Sequence, residues 1–105
     1  MKLNRYKVIV KDSANKDIED IMTYIIENFK SFYIAENLLK KIRNKIMILQ
    51  ESPQTFQTLY NYKYKNREYK RIIVENYSIV YYILKEQKKV FIVHIYYNKR
   101  KVFNF

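Results

Sequence analysis

Apolar residues recur every three to four positions in two stretches of this chain and every second position in a later one, and that change of period lays out its elements. Residues 4–10, ending Val8-Ile9-Val10, read as a short strand. Asp12 or Ser13 can cap the helix that follows by accepting a bond from a free backbone N–H. Ala14, Ile18, Ile21, Met22, Ile25 and Phe29 then share one helical face, and Asp17, Glu19 and Asp20 sit in the early turns, where the helix dipole favours negative charge. Beyond a short break at Lys30-Ser31, a second stripe runs through Ala35, Leu38, Leu39, Ile42, Ile46 and Leu49, with Lys40, Lys41, Arg43 and Lys45 on the opposite face. Pro53 ends it, because the residue before a proline is pushed out of helical geometry. A link this short predicts an antiparallel helical hairpin.

Residues 54–66 show no clean period and read as a loop. From Arg71 the period is two. Ile72-Ile73-Val74 forms one strand, Tyr77 to Leu84 a second, and Val90 to Tyr97 a third. The second is apolar on both faces and therefore central. Turns at Glu75-Asn76 and over residues 86–89 make consecutive strands antiparallel neighbours. The expectation is one α+β domain over residues 1–105, in the order β-α-α-β-β-β, with an N-terminal helical hairpin packed on a small, mainly antiparallel sheet.

Composition narrows the chemistry. A chain of 105 residues supports one hydrophobic core. With no cysteine and a single histidine, His94, neither a disulfide framework nor a thiolate or histidine metal site is expected, and no cofactor is called for. The absence of glycine excludes glycine-rich phosphate loops. No apolar run is long enough to span a bilayer, and the charged start lacks a signal-peptide core, so a cytoplasmic protein is expected. The net charge of +11 lies wholly beyond residue 29, since the first 29 residues are balanced. Such a field favours an anionic partner, nucleic acid or an acidic protein, although a lysine-rich solvated surface has the same composition.

The order of elements and several motifs resemble the RelE/ParE toxins. Ala14-Asn15-Lys16-Asp17-Ile18 is similar to that family's first-helix start, Tyr24-Ile25 to a pair near its end, and Leu49-Gln50-Glu51-Ser52-Pro53 to the close of the second helix. Arg71, Val74, Tyr77, Ile79 and Tyr81 follow the central strand block, with Val74 one place early, and Val90, Ile92, Ile95, Tyr97, Lys99 and Arg100 the closing block. The resemblance covers residues 4–103. It implies a cytoplasmic toxin held in a hetero-oligomer by a cognate acidic antitoxin. It implies one of two targets: messenger RNA cut in the ribosome, or DNA gyrase inhibited by protein contact.

RNA cleavage by a ribose 2′-hydroxyl needs a proton acceptor, cations for the developing phosphate charge and a donor for the leaving oxygen. Where RNA-cutting members carry arginine in the central strand, this chain has Ser78, so Arg71 is expected to supply that cation if it faces the same surface. Tyr97 stands where many members have histidine, and the catalytic candidates are Arg71, Tyr97 and Arg100. Lys63, Lys65, Arg67 and Lys99 are the substrate-binding candidates, the first three from a stretch that interleaves tyrosines and cations in a way suited to stacking bases and holding phosphates. Each has a structural alternative: Arg71 paired with Glu75, Tyr97 capping the core edge, Lys99 and Arg100 in a solvated tail, and the tyrosine-rich stretch covering the sheet. His94 reads as a satisfied or surface residue. Ribosome-dependent mRNA cleavage is the leading expectation. Gyrase inhibition, a non-catalytic nucleic-acid-binding module and a decayed toxin are the alternatives.

Overall fold

In the computed structural model, residues 5–64 and 67–100 are described, apart from the side chains of residues 57–64 and Arg100. Strand β1 (Lys7–Val10) leads into helix α1 (Asp12–Phe29), which turns back as α2 (Phe32–Leu49). Four strands follow: β2 (Gln57–Tyr64), β3 (Arg67–Val74), β4 (Tyr77–Leu84) and β5 (Lys89–Tyr97). They form one five-stranded sheet in the order β1-β5-β4-β3-β2, with β4 at its centre. The pairing of β1 with β5 is parallel, and the other three pairings are antiparallel.

The expected elements are present, with one addition. Gln57–Tyr64, expected within a loop, is an edge strand paired with β3. Its register is broken between Thr58 and Lys63, and an edge strand with broken pairing has no reason to alternate apolar and polar residues.

The helix ends show how tertiary contacts override local preference. Lys11, not Asp12 or Ser13, occupies the cap position of α1, and its side chain makes no capping bond. The Ser13 hydroxyl instead donates to the Val93 carbonyl on β5. At the start of α2, Ser31 accepts a bond from the Ile34 N–H at 3.2 Å, an ordinary N-cap. Lys30, Glu75 and Lys88 adopt positive φ, so three turns that would suit glycine are made by residues for which that conformation is costly.

The apolar stripes of α1 and α2 close on one face of the sheet around Ile72, Val74, Ile79, Tyr81, Val90, Ile92 and Ile95. Tyr81 is fully buried there and donates its hydroxyl to the Pro53 carbonyl at 2.7 Å, which ties the central strand to the segment after α2. Burial raises the Tyr81 phenol above its ordinary pKa. On the far face of the sheet, away from the helices, Tyr69, Val80 and Tyr82 form a second apolar cluster with Leu84, Phe91, Val93 and Tyr96. No helix among the described residues is long and apolar enough to cross a membrane.

Candidate functional site

Strand alternation sends Arg71 of β3 and Ser78 of β4 to the far face. Arg71 lies opposite Val80, and Ser78 lies opposite Tyr96 of β5. The Arg71 guanidinium reaches diagonally to both, with Nη1 3.5 Å from the Ser78 hydroxyl and 3.4 Å from the Tyr96 hydroxyl, at the long end of the hydrogen-bond range. Ser78 has no exposed surface and is the one buried polar residue among those described. Its hydroxyl donates to the Asn98 side-chain carbonyl, at the start of the single 3-10 turn Asn98–Arg100. A second bond, from the Asn98 backbone N–H to the Asn76 carbonyl at 2.8 Å, fixes that turn against the β3–β4 corner. Arg71, Ser78, Tyr96 and Asn98 therefore form one polar cluster from three strands and the turn after them.

Tyr96 belongs to this cluster because β5 carries a bulge. Val80 pairs with His94, yet Tyr81 pairs with Ile92, which leaves Val93 as the extra residue. The inserted residue shifts the alternation, so Ile95 and Tyr97 pack on the helix side, Tyr97 against Tyr77, while Tyr96 packs with the far-face cluster. Helix α1 fastens the bulge from its own side. Besides the bond from Ser13 to Val93, the Asp17 carboxylate accepts from the Ile95 N–H at 2.9 Å, and the same oxygen lies 2.9 Å from His94 Nδ1.

The bulge separates two of the catalytic candidates. Arg71 lies on the far face, whereas Tyr97 packs its ring on Tyr77 on the helix side, with centroids 5.3 Å apart. The two side chains do not converge on one substrate atom, and the hydroxyl beside Arg71 is that of Tyr96. Arg71 is not paired with Glu75, whose carboxylate meets Lys41 at 2.9 Å. His94 is a satisfied residue on the groove side, held by Asp17. Of the substrate-binding candidates, Arg67 lies over the Tyr82 ring at 4.3 Å, and Tyr82 stacks on Phe91, so this cation is on the far face with Arg71. Lys99 is exposed in the turn that Asn98 anchors. Lys65 and the side chains of Lys63 and Arg100 lie outside the described residues.

On the helix side, a groove of about 940 Å³ opens between the hairpin and the ends of the sheet. Ile21, Tyr24, Phe29, Ile34, Tyr77 and Tyr97 give it apolar walls, with Asp17, Asp20 and Glu75 among them. Tyr24, Phe29 and Ile34 are each about half exposed or more, at 57%, 59% and 47%, an unusual exposure for large apolar side chains on adjoining helix ends.

Residues 8–102 match the family described as the ParE toxin of the type II toxin–antitoxin system, parDE. The chain belongs to this family. No curated protein matches the sequence. Among solved structures, this ParE-family chain is similar in fold to the chromosomal ParDE toxin–antitoxin system from P. aeruginosa, at 12% identity and a TM-score of 0.69 over 90% of this chain and 97% of that one. It is also similar to the toxin–antitoxin complex RelBE2 from Mycobacterium tuberculosis, at 15% identity and a TM-score of 0.62 over 91% and 94% of the two chains. The archaeal RelE–RelB complex from Pyrococcus horikoshii gives 14% identity and a TM-score of 0.57 over 91% and 98%. The ParE-family fold thus accounts for nearly the whole length of each of these chains.

Proposed function

We propose that this ParE-family toxin arrests growth in the cytoplasm by ribosome-dependent cleavage of messenger RNA, and that a cognate acidic antitoxin neutralises it in a hetero-oligomer. The observation that carries the RNA reading is the convergence of the Arg71 guanidinium on the Tyr96 and Ser78 hydroxyls on the far face of a strongly basic chain. In the cleavage step the 2′-hydroxyl gives its proton to water as its oxygen attacks the adjacent phosphorus. The bond to the 5′-oxygen breaks, and that oxygen leaves with a proton delivered through the Tyr96 hydroxyl and replaced from water. Arg71 supplies positive charge where the phosphorane develops negative charge, with Arg67 and Lys99 holding neighbouring phosphates. The Tyr96 hydroxyl takes the orienting or proton-carrying role that the sequence assigned to Tyr97. The groove beneath the hairpin offers an antitoxin segment an apolar seat, and the excess of positive charge steers an acidic partner toward the toxin.

The test is cleavage of messenger RNA on programmed ribosomes, paired with growth arrest on induction. Wild type is expected to cleave. Arg71→Ala should lose about 100- to 1000-fold in rate, the usual cost of removing one electrostatic donor from such a site. Tyr96→Phe should lose rate as well, whereas Tyr97→Phe, on the other side of the sheet, should cleave like wild type. Growth arrest without any wild-type cleavage would overturn the RNA reading. Contact inhibition of DNA gyrase would then stand as the second reading, in keeping with the match to the ParE family. Unimpaired growth with folded protein accumulating would mark a decayed toxin or a binding module.

A further inference from the structure

We infer that Ser78 and Asn98 are positioning residues for Arg71, acting as a directed hydrogen-bond chain through the sheet. The inference rests on the reading of Arg71 as the cation of the site. A hydroxyl carries one proton. Arg71 can only donate, so Ser78 accepts from it, and the serine's own proton is left for Asn98. The chain therefore runs one way, from the Arg71 guanidinium through the Ser78 hydroxyl to the Asn98 side-chain carbonyl. Successive bonds of this kind polarise one another, and a low-dielectric surrounding strengthens them.

Ser78 is suited to this by size as well as by chemistry. It sits on the central strand with no exposed surface, where an unpartnered hydroxyl would be costly and an apolar residue would be the default. Its short side chain leaves space over β4, and Arg71, opposite Val80 in the register, uses that space to reach across toward Tyr96. The far end of the chain lies in the turn that carries Lys99, and Asn98 fixes it twice, through its side chain to Ser78 and through its backbone to Asn76. One asparagine thus couples the direction of the Arg71 guanidinium to the place where the next cations leave the sheet. Without the chain, Arg71 retains its charge and its bond to Tyr96 but loses the contact that aims it over Ser78, and a misplacement of about 1 Å at a reacting centre costs on the order of 100-fold in rate.

The test compares wild type with Ser78→Ala, Asn98→Ala and Asn98→Asp by two readouts. Nitrogen-15 NMR of the arginine side chains reports whether rotation of the Arg71 guanidinium is hindered, with Arg71→Ala to assign the signal. Ribosome-programmed cleavage reports kcat and KM. Ser78→Ala and Asn98→Ala should speed rotation of the guanidinium, which keeps its bond to Tyr96. Each should lower kcat about 10- to 100-fold with little change in KM, as expected when alignment and not binding is lost. Asn98→Asp keeps an acceptor for Ser78, so the fold and the hindered rotation should return, but its carboxylate neutralises the nearby charge and kcat should stay low. Rotation as slow as in wild type in both Ser78→Ala and Asn98→Ala would overturn the inference, as would an unchanged kcat in both. Wild type that cleaves no RNA would refute the catalytic reading alone, and the NMR arm would still decide whether Ser78 and Asn98 hold Arg71.

Discussion

Replacing Asp17 by alanine should destabilise the fold by about 2–3 kcal/mol, most of it through β5 and little through the helix that carries the residue. The carboxylate is largely buried, with 27% of its side chain exposed, and one oxygen serves both the Ile95 N–H and His94 Nδ1, each at 2.9 Å. A hydrogen bond to a charged group contributes about 1.5–3 kcal/mol net, and an orphaned buried N–H costs about as much. Ile95 is 3% exposed and follows the bulge, so solvent cannot easily reach its N–H once the carboxylate is gone. The side-chain contact with His94 adds a smaller part. For a domain of this size the sum corresponds to a fall in Tm of roughly 10–20 °C. Asp17→Asn keeps an oxygen for the Ile95 N–H and gives up only the charge, so it should cost about 1 kcal/mol. Urea denaturation followed by far-UV circular dichroism measures both variants, and amide exchange at Ile95 locates the loss. An alanine variant within about 0.5 kcal/mol of wild type, with Ile95 still protected, would show that strand pairing alone holds the bulge.

Two further outcomes follow from the buried phenol and from the charge. Tyr81→Phe leaves the Pro53 carbonyl without its donor and should cost about 1–2 kcal/mol in urea denaturation. Because burial raises the Tyr81 pKa, the stability contributed by the neutral phenol is complete below the ordinary tyrosine value of about 10 and is lost as pH rises above it. The phenylalanine variant should lack that part of the alkaline decline, and identical slopes for the two proteins would refute the assignment. Antitoxin affinity measured by calorimetry should fall about tenfold or more from low to high salt without vanishing, since charge steers the partner while the groove buries apolar surface. Affinity independent of salt would remove the +11 charge from the account of partner choice.

Both helices, the central position of β4 and the two hairpins were legible because each follows from a periodicity set by one buried face. Strand β2 was not, since it is an edge strand with broken register and nothing in its sequence needs to alternate. The proposed site was legible in part. Arg71 was singled out by charge and strand position, and it shares a face with Ser78, the condition set for it. Tyr97 was singled out because it stands where many members have histidine, and plain alternation from Val90 and Ile92 gives no reason to look at Tyr96. The bulge that reverses this is made at Val93, a residue that leaves no glycine or proline mark in the sequence. Asn98 and Asp17 carry no local signal, because their partners lie on distant elements brought near only by the finished fold. The turns at Lys30, Glu75 and Lys88 were placed by polarity alone, since the chain offers no glycine to mark them.

The parallel pairing of β1 with β5 also sets an order of events. Val8 lies beside Val90 and Val10 beside Ile92, so β1 finds its neighbour only when β5, about 80 residues later, has been made. The helical hairpin rests on local contacts and can form early, but closing so long a loop is entropically costly and contacts of this kind are slow to form. Ser13 and Asp17 likewise await Val93 and Ile95, and Arg71 awaits Tyr96. On a nascent chain, then, the surface proposed to act on the ribosome's message can form only after β5 has been made.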